Sequence, residues 1–228
     1  MFDKLDINII VPVFNEYENL KKFFEIIDEK DPDLKKRFLF VDNGSTDKNI
    51  LKLLLKANVK YLQLDNNMGF GGGIKHGIIN SSTEYICWMP CNLKIDPLDA
   101  LNLIKNINIL KTDTLYKSTR IKDSRVDAYK TILFSIAQSL ILKKVVFDTG
   151  GTPTIVSREF FKKIDNFPDD YSFETYVYLK AKYDGLHFIR PKIKYGKRMF
   201  GKSHWQNGIL SEVKFIMNIY YQSKKWIF

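Results

Sequence analysis

Cysteine and histidine are scarce in this chain, with two of the former and three of the latter among 228 residues. Cys87 and Cys91 are too close in sequence for a structural staple and have no second pair, so a disulfide scaffold and a Cys/His zinc module are both excluded. A reducing cytoplasm is the expected setting. Long apolar runs are missing too: Ile132–Leu142 is interrupted by Gln138 and falls short of the roughly 20 residues that cross a hydrocarbon core. No charged segment leading into an apolar stretch opens the chain, so no secretory signal is expected. Linkers, repeats and low-complexity tracts are also lacking, and no pattern of a nucleic-acid module occurs.

Acidic residues all but vanish near the end. Residues 186–228 hold nine Lys or Arg against one acid, Glu212, which accounts for +8 of the net charge of +10. One reading is a solvated basic face. The other is attraction to an anionic partner. Trp205, Tyr220, Tyr221, Trp226 and Phe228 lie among these charges, a mixture that suits an anionic lipid or membrane surface better than nucleic acid. Ile209–Phe228 carries Glu212, Lys214, Lys224 and Lys225, so it is expected to lie on a surface rather than span one. The expected location is cytoplasmic, peripheral on the inner face of the membrane.

What is present is an ordinary globular composition, 45% hydrophobic and 27% charged, with enough length for one sizeable core. Strand-like runs alternate with helical spacing. Strands are expected at Ile7–Phe14, Phe38–Val41, Tyr61–Leu64 and Tyr85–Met89. Helices are expected over Leu20–Ile27, Ile50–Ala57, Ile74–Ile79 and Pro97–Leu110, the last with Asp96 as cap. This rhythm predicts an α/β fold with a mostly parallel sheet flanked by helices. After Thr114–Lys117 it loosens. Val126–Val146 reads as one long helix, and strands near Thr154–Val156 and His187–Ile193 are less regular. A single domain over 1–228 is expected, regular over 1–118 and irregular over 119–228.

The first two strands stop abruptly at Asn15-Glu16 and at Asp42-Asn43-Gly44-Ser45-Thr46-Asp47. In open parallel sheets ligands bind at the carboxyl ends of strands. Asp42 is therefore either a ligand-facing carboxylate or part of a tight turn, with Thr46 or Asp47 capping the next helix. A third stretch, Asn66-Asn67-Met68-Gly69-Phe70-Gly71-Gly72-Gly73, follows the third strand, with glycines where backbone could approach a pyrophosphate at a helix start. It fits neither the dinucleotide fingerprint nor a Walker loop.

Together, Val11-Pro12-Val13-Phe14-Asn15-Glu16, Val41-Asp42-Asn43-Gly44-Ser45-Thr46-Asp47 and Asn67-Met68-Gly69-Phe70-Gly71 resemble a family 2 glycosyltransferase. The resemblance implies the GT-A fold and a nucleotide-sugar donor, UDP- or GDP-linked, bound by the first half of the chain. It implies that Pro12, Asn15 and Glu16 border the nucleotide, that Asp42 and Asn43 lie on its base side, and that a loop with Gly69, Phe70 and Gly71 closes over it. Asp148-Thr149-Gly150-Gly151-Thr152-Pro153, Phe173-Glu174 and Arg198-Met199-Phe200-Gly201-Lys202-Ser203-His204-Trp205 are similar to the polyprenyl-phosphate branch of that family. That implies a polyprenyl-phosphate acceptor, with Arg120, Lys202, Ser203 and His204 as candidates to hold its phosphate and Arg198, Asp148 and Glu174 as candidate catalytic residues. Glu174 is equally readable as an acid in the first turn of a helix.

One departure stands out. The family closes its fourth strand with Asp-x-Asp, which holds a divalent ion on the diphosphate; here the residues are Pro90-Cys91-Asn92. Hard cations such as Mg²⁺ or Mn²⁺ take carboxylate and phosphate oxygens, so only Asn92 is left as a weak ligand. Three outcomes are open: a weakly held ion, basic substitutes among Lys94, Lys117, Arg120, Arg125, Arg198 and Lys202, or loss of catalysis. The expected reaction is single displacement at the anomeric carbon. A glycan or soluble acceptor, or a non-catalytic nucleotide-binding homologue, are the other readings.

Overall fold

The computed structural model describes residues 5–107, 109–122, 125–164, 166–201 and 209–226. Its first half repeats strand and helix: β1 (Ile7–Val13), α1 (Tyr17–Lys30), β2 (Phe38–Asp42), α2 (Lys48–Lys56), β3 (Lys60–Gln63), α3 (Gly69–Ile79), β4 (Tyr85–Trp88) and α4 (Pro97–Asn106). Start signals are local: Asp47 and Asp96 accept from the backbone N–H of Asn49 and Leu98, and Pro97 occupies the first turn of α4. The second half adds β5 (Thr114–Lys117), β6 (Thr119–Lys122), α5 (Arg125–Leu142), β7 (Thr154–Ser157), α6 (Arg158–Lys162), α7 (Ser172–Tyr183), β8 (His187–Ile189), β9 (Lys192–Tyr195) and α8 (Ile209–Ser223).

The main sheet has the order β3-β2-β1-β4-β7-β5-β8, and β6 pairs with β9 separately. β3, β2, β1 and β4 run parallel, whereas β7 is antiparallel to both neighbours. This is the expected mostly parallel α/β architecture. Several boundaries shift: α3 starts at Gly69 and not Ile74, α4 ends at Asn106 and not Leu110, and two further shifts redirect the chain. The long helix ends at Leu142 instead of Val146, because Lys143 takes a left-handed φ of 50° and turns the chain. The strand expected over His187–Ile193 divides at Arg190-Pro191 into β8 and β9, which join different sheets; proline has no N–H to continue a ladder.

Alternation along the strands fills both faces. Ile9, Val11, Val13, Phe38 and Phe40 pack with Leu20, Phe23, Ile27, Ile50 and Leu54 of α1 and α2 on one face. Phe23 meets the rings of Phe38 and Phe40 edge-on, with centroids 5.1 and 5.5 Å away. Ile10, Val41, Ile86 and Trp88 pack on the other face with Ile74 and Ile78 of α3 and Phe173 and Val177 of α7. Burying each such side chain is worth about 1.5–3 kcal/mol. Helix α3 sits very close to the sheet because Gly77 faces it; a Cβ there would lie 2.5 Å from Ile10 Cγ2.

Candidate active site

β1 and β2 end side by side, with Val13 opposite Asp42 in the parallel register. Asp42 is 2% exposed, and its Oδ1 accepts from the N–H of Ser45 at 3.1 Å, so the carboxylate orders its own turn at the rim of the crevice. Asn15, held at φ 51°, accepts with Oδ1 from the N–H groups of Thr46 and Asp47, at 2.9 and 3.2 Å. Asn43 donates from Nδ2 to Asn67 Oδ1 and Gly69 O and accepts on Oδ1 from Met68 N–H. The two asparagines are clamps. One ties the β1 exit to the β2–α2 turn, the other ties that turn to the start of α3.

The glycines at the start of α3 admit the chain's own backbone. A Cβ on Gly69 would meet Asp169 O at 2.4 Å, and one on Gly71 would meet Pro168 O at 2.2 Å. Gly72 N–H donates to Asp169 O at 2.8 Å. The close approach that the sequence suggests for a pyrophosphate is thus occupied by residues 168–170. Phe70 stacks flat on Tyr171, centroids 4.4 Å apart, and burial pushes the Tyr171 phenol above its ordinary range, with Glu16 adding to the effect. Pro12 lies beneath this region, its Cβ 3.1 Å from the point where a Gly73 Cβ would fall.

Across the crevice the charges are paired. Arg198 Nη1 donates to Glu16 Oε1 at 2.9 Å. Asp148, buried and at φ 45°, accepts on Oδ1 from Nε and Nη2 of Arg120 and on Oδ2 from Arg120 N–H; Arg190 stands 4.0 Å away. Burial opposes the charge of Arg120, but Asp148 and Tyr195 together raise its pKa. The Tyr195 ring has two cations against it, Lys94 at 5.6 Å and Arg120 at 5.2 Å.

Glu174 is 4% exposed and fully engaged: Oε1 accepts from Trp88 Nε1 at 2.9 Å, and Oε2 from Lys117 Nζ at 2.7 Å. Lys117, 0% exposed, also donates to Thr154 Oγ1. The lysine offered by the sequence as a substitute for a metal therefore serves this internal pair instead. Lys202, Ser203 and His204, with Trp205, lie outside the described residues.

The sequence model described as Glycosyl transferase family 2 matches residues 8–165, more than half of the chain. The chain belongs to that family. No curated protein matches it by sequence. Among solved structures, the glycosyltransferase is similar to the mannosyltransferase PcManGT of Pyrobaculum calidifontis in complex with GDP-Man and Mn²⁺ (TM-score 0.66, 14% identity, 96% of this chain and 64% of that one). It is also similar to glucosyl-3-phosphoglycerate synthase of Mycobacterium tuberculosis in complex with Mn²⁺ and UDP-glucose (TM-score 0.68, 15% identity, 96% of this chain and 79% of that one). At such identity the likeness is one of fold, the GT-A fold.

In this glycosyltransferase the donor atoms for a divalent ion do not fit. Pro90 offers no side-chain oxygen. The Cys91 thiol is pushed up well above its usual range by burial, with Glu16 adding to the effect and Arg198 opposing it. Asn92 is buried, and its Oδ1 accepts from Lys94 N–H at 3.2 Å. Glu16 and Asp148, carboxylates bordering the crevice, are each bound to a guanidinium. Among the described residues no group of three His, Cys, Asp or Glu could hold a metal.

Several members of the site carry no local signal in sequence. Tyr195 and Arg190 lie in the basic C-terminal stretch, indistinguishable there from solvated charge. Tyr171 and residues 168–170 precede α7 as an ordinary Pro-Asp-Asp loop, and only the unusual run of glycines at 71–73 hints that some backbone must come close to α3.

Proposed function

We propose that this glycosyltransferase moves a sugar from a UDP- or GDP-sugar to a polyprenyl phosphate presented at a membrane surface. Family membership and the strand-tip crevice support the donor side. Asp42 would accept from the base, and Pro12, Asn15 and Glu16 would border the nucleotide. The acceptor side is carried by one observation: α5 is built inside out. Its polar residues face the protein. Ser135 accepts from Asp148 N–H, Ser139 accepts from Val146 N–H, and Gln138 bonds Thr149 and Thr175.

One apolar face points outward, while Phe134 and Leu142 pack inward: Leu133 is 65% exposed and Leu140 74%, with Ile136 between them. A groove of about 460 Å³ runs between this face and Val145–Phe147, edged by Lys143 and Lys144. Residues 128–147 contain three lysines and no carboxylate. An apolar face rimmed by lysines matches an anionic bilayer surface. The same face of a second copy would offer those lysines no carboxylate. No described helix is long and apolar enough to cross a membrane, so the reading is one of surface attachment, at the cytoplasmic face. Ser135 bonds the backbone of Asp148, whose carboxylate holds Arg120, and this link between α5 and a guanidinium supports Arg120 as a candidate for the acceptor phosphate. Lys202, Ser203 and His204 are the further candidates to meet the acceptor phosphate.

In the reaction an acceptor phosphate oxygen attacks the anomeric carbon. The bond from that carbon to the donor diphosphate breaks, and its electron pair leaves with the nucleoside diphosphate. An ionised phosphate has no proton to remove, so no general base is required. That agrees with Asp148 and Glu174 being tied up in ion pairs, where they position other groups.

The test is transfer from a panel of UDP- and GDP-sugars to a short-chain polyprenyl phosphate, with flotation on vesicles containing anionic lipid. Transfer together with flotation at low salt is expected. Transfer only to a soluble phosphate or glycan acceptor overturns the lipid reading, and nucleotide binding without turnover in any condition overturns the enzyme reading.

A further inference from the structure

The family's divalent ion lacks its ligands here, and what stands around its place is cationic. Lys94 and Arg120 share the Tyr195 ring, Arg120 and Arg190 meet at Asp148, and Arg198 is bound to Glu16. Lys94 lies two residues beyond Asn92 and is held through both its backbone and its side chain. Its own N–H binds Asn92 Oδ1, and its ammonium sits over the Tyr195 ring beside Arg120. Its carbonyl accepts from Gly196 N–H at 2.8 Å, which locks the post-β4 turn to the strand that leads to Arg198. The same turn that carries acids elsewhere in the family thus carries a lysine, and it is braced against the segment that supplies an arginine.

A diphosphate bears at least two negative charges, and in a partly dry cleft Arg and Lys neutralise such charge through charge-assisted hydrogen bonds. We propose that the donor diphosphate is held without a divalent ion, by Lys94 together with Arg198. This rests on the reading that a nucleotide-sugar fills the crevice. Lys94 then takes the place of the metal on the leaving group, and Asn92 serves as the brace for its turn.

Isothermal titration with UDP and with GDP tests this, on protein dialysed against EDTA and again with Mn²⁺ added. The expected result is binding in EDTA, changed less than about threefold by Mn²⁺, weakened by added salt, and weakened about tenfold or more in Lys94→Ala, the scale of one lost charged hydrogen bond. A second variant, Pro90→Asp with Asn92→Asp, restores the acidic pair and is expected to make binding respond to Mn²⁺. Binding that appears only with Mn²⁺ in the wild-type protein overturns the metal-free site while leaving the donor reading intact. Unchanged affinity of a folded Lys94→Ala protein in EDTA also overturns it. Absence of binding to either nucleotide in both conditions overturns the donor reading, and the inference with it.

Discussion

Lys117 Nζ sits 2.7 Å from Glu174 Oε2, and both side chains are removed from water. The pair joins β5 to α7 across the sheet, with Trp88 and Thr154 filling the remaining bonds. Removing one partner leaves the other charge buried, which costs about 3–5 kcal/mol. Lys117→Met or Glu174→Leu alone is therefore expected to lower the denaturation midpoint sharply. The double substitution, which leaves no orphan charge, is expected to recover most of that loss in a urea titration. A double variant as unstable as the sum of the singles contradicts this account.

Burial, outweighing the attraction of Glu174, lowers the pKa of Lys117 below the ordinary lysine value of 10.5. Between the lowered folded value and 10.5 the unfolded chain binds more protons than the folded one, so stability rises with pH in that window. Below it, lysine is charged in both states and the burial penalty is present in full. Other groups titrate in the same range, so the measurement is the difference in slope between wild type and Lys117→Met. The variant is expected to lack this rising contribution on the alkaline side, and equal slopes contradict the assignment.

Adjacent glycines make opposite predictions. A Cβ on Gly151 would fall 1.9 Å from Ser118 O, whereas one on Gly150 meets nothing closer than the Arg120 guanidinium at 3.9 Å. Gly151→Ala is expected to cost about 1–3 kcal/mol or more through forced backbone movement. Gly150→Ala is expected to stay within about 0.5 kcal/mol of wild type. Thermal melts of the two variants distinguish these cases directly.

Asn43 makes three hydrogen bonds to the turn that opens α3. Asn43→Ala is expected to cost about 1–3 kcal/mol and to raise amide exchange over residues 66–72, since a buried clamp is lost without replacement. Exchange rates equal to wild type there would show that the glycine packing alone holds the turn.

The outward face of α5 makes a prediction away from the crevice. Leu140→Glu adds a charge at a position 74% exposed, where fold stability is expected to change little. Vesicle flotation is expected to fall, while nucleotide affinity is retained. Undiminished flotation removes α5 from the membrane surface.

The parallel half of the sheet was legible because its information is local: β-branched runs, capping aspartates at 47 and 96, and a proline at the head of α4. The same locality made the ends of β1 and β2 visible as a pocket rim. What each polar residue does there was not legible. Nothing in the sequence around Asn15 and Asn43 points to the groups that they hold, which lie 24 to 32 positions away. Lys117 and Glu174 are separated by 57 residues, and neither neighbourhood hints at the other. Spacing rules describe neighbours along one helix or strand, whereas these pairs exist only after the sheet has brought distant elements together.

The hydrogen bond from Gly72 N–H to the Asp169 carbonyl has a mechanical meaning. Through it, and through Phe70 lying on Tyr171, α3 is bolted to the head of the helix that carries Glu174. Asp170 extends the linkage by accepting from Asn218 of α8. With no side chain on Gly69 or Gly71 to act as a spacer, backbone lies directly on backbone there, and the head of α3 and the approach to α7 form one packed joint.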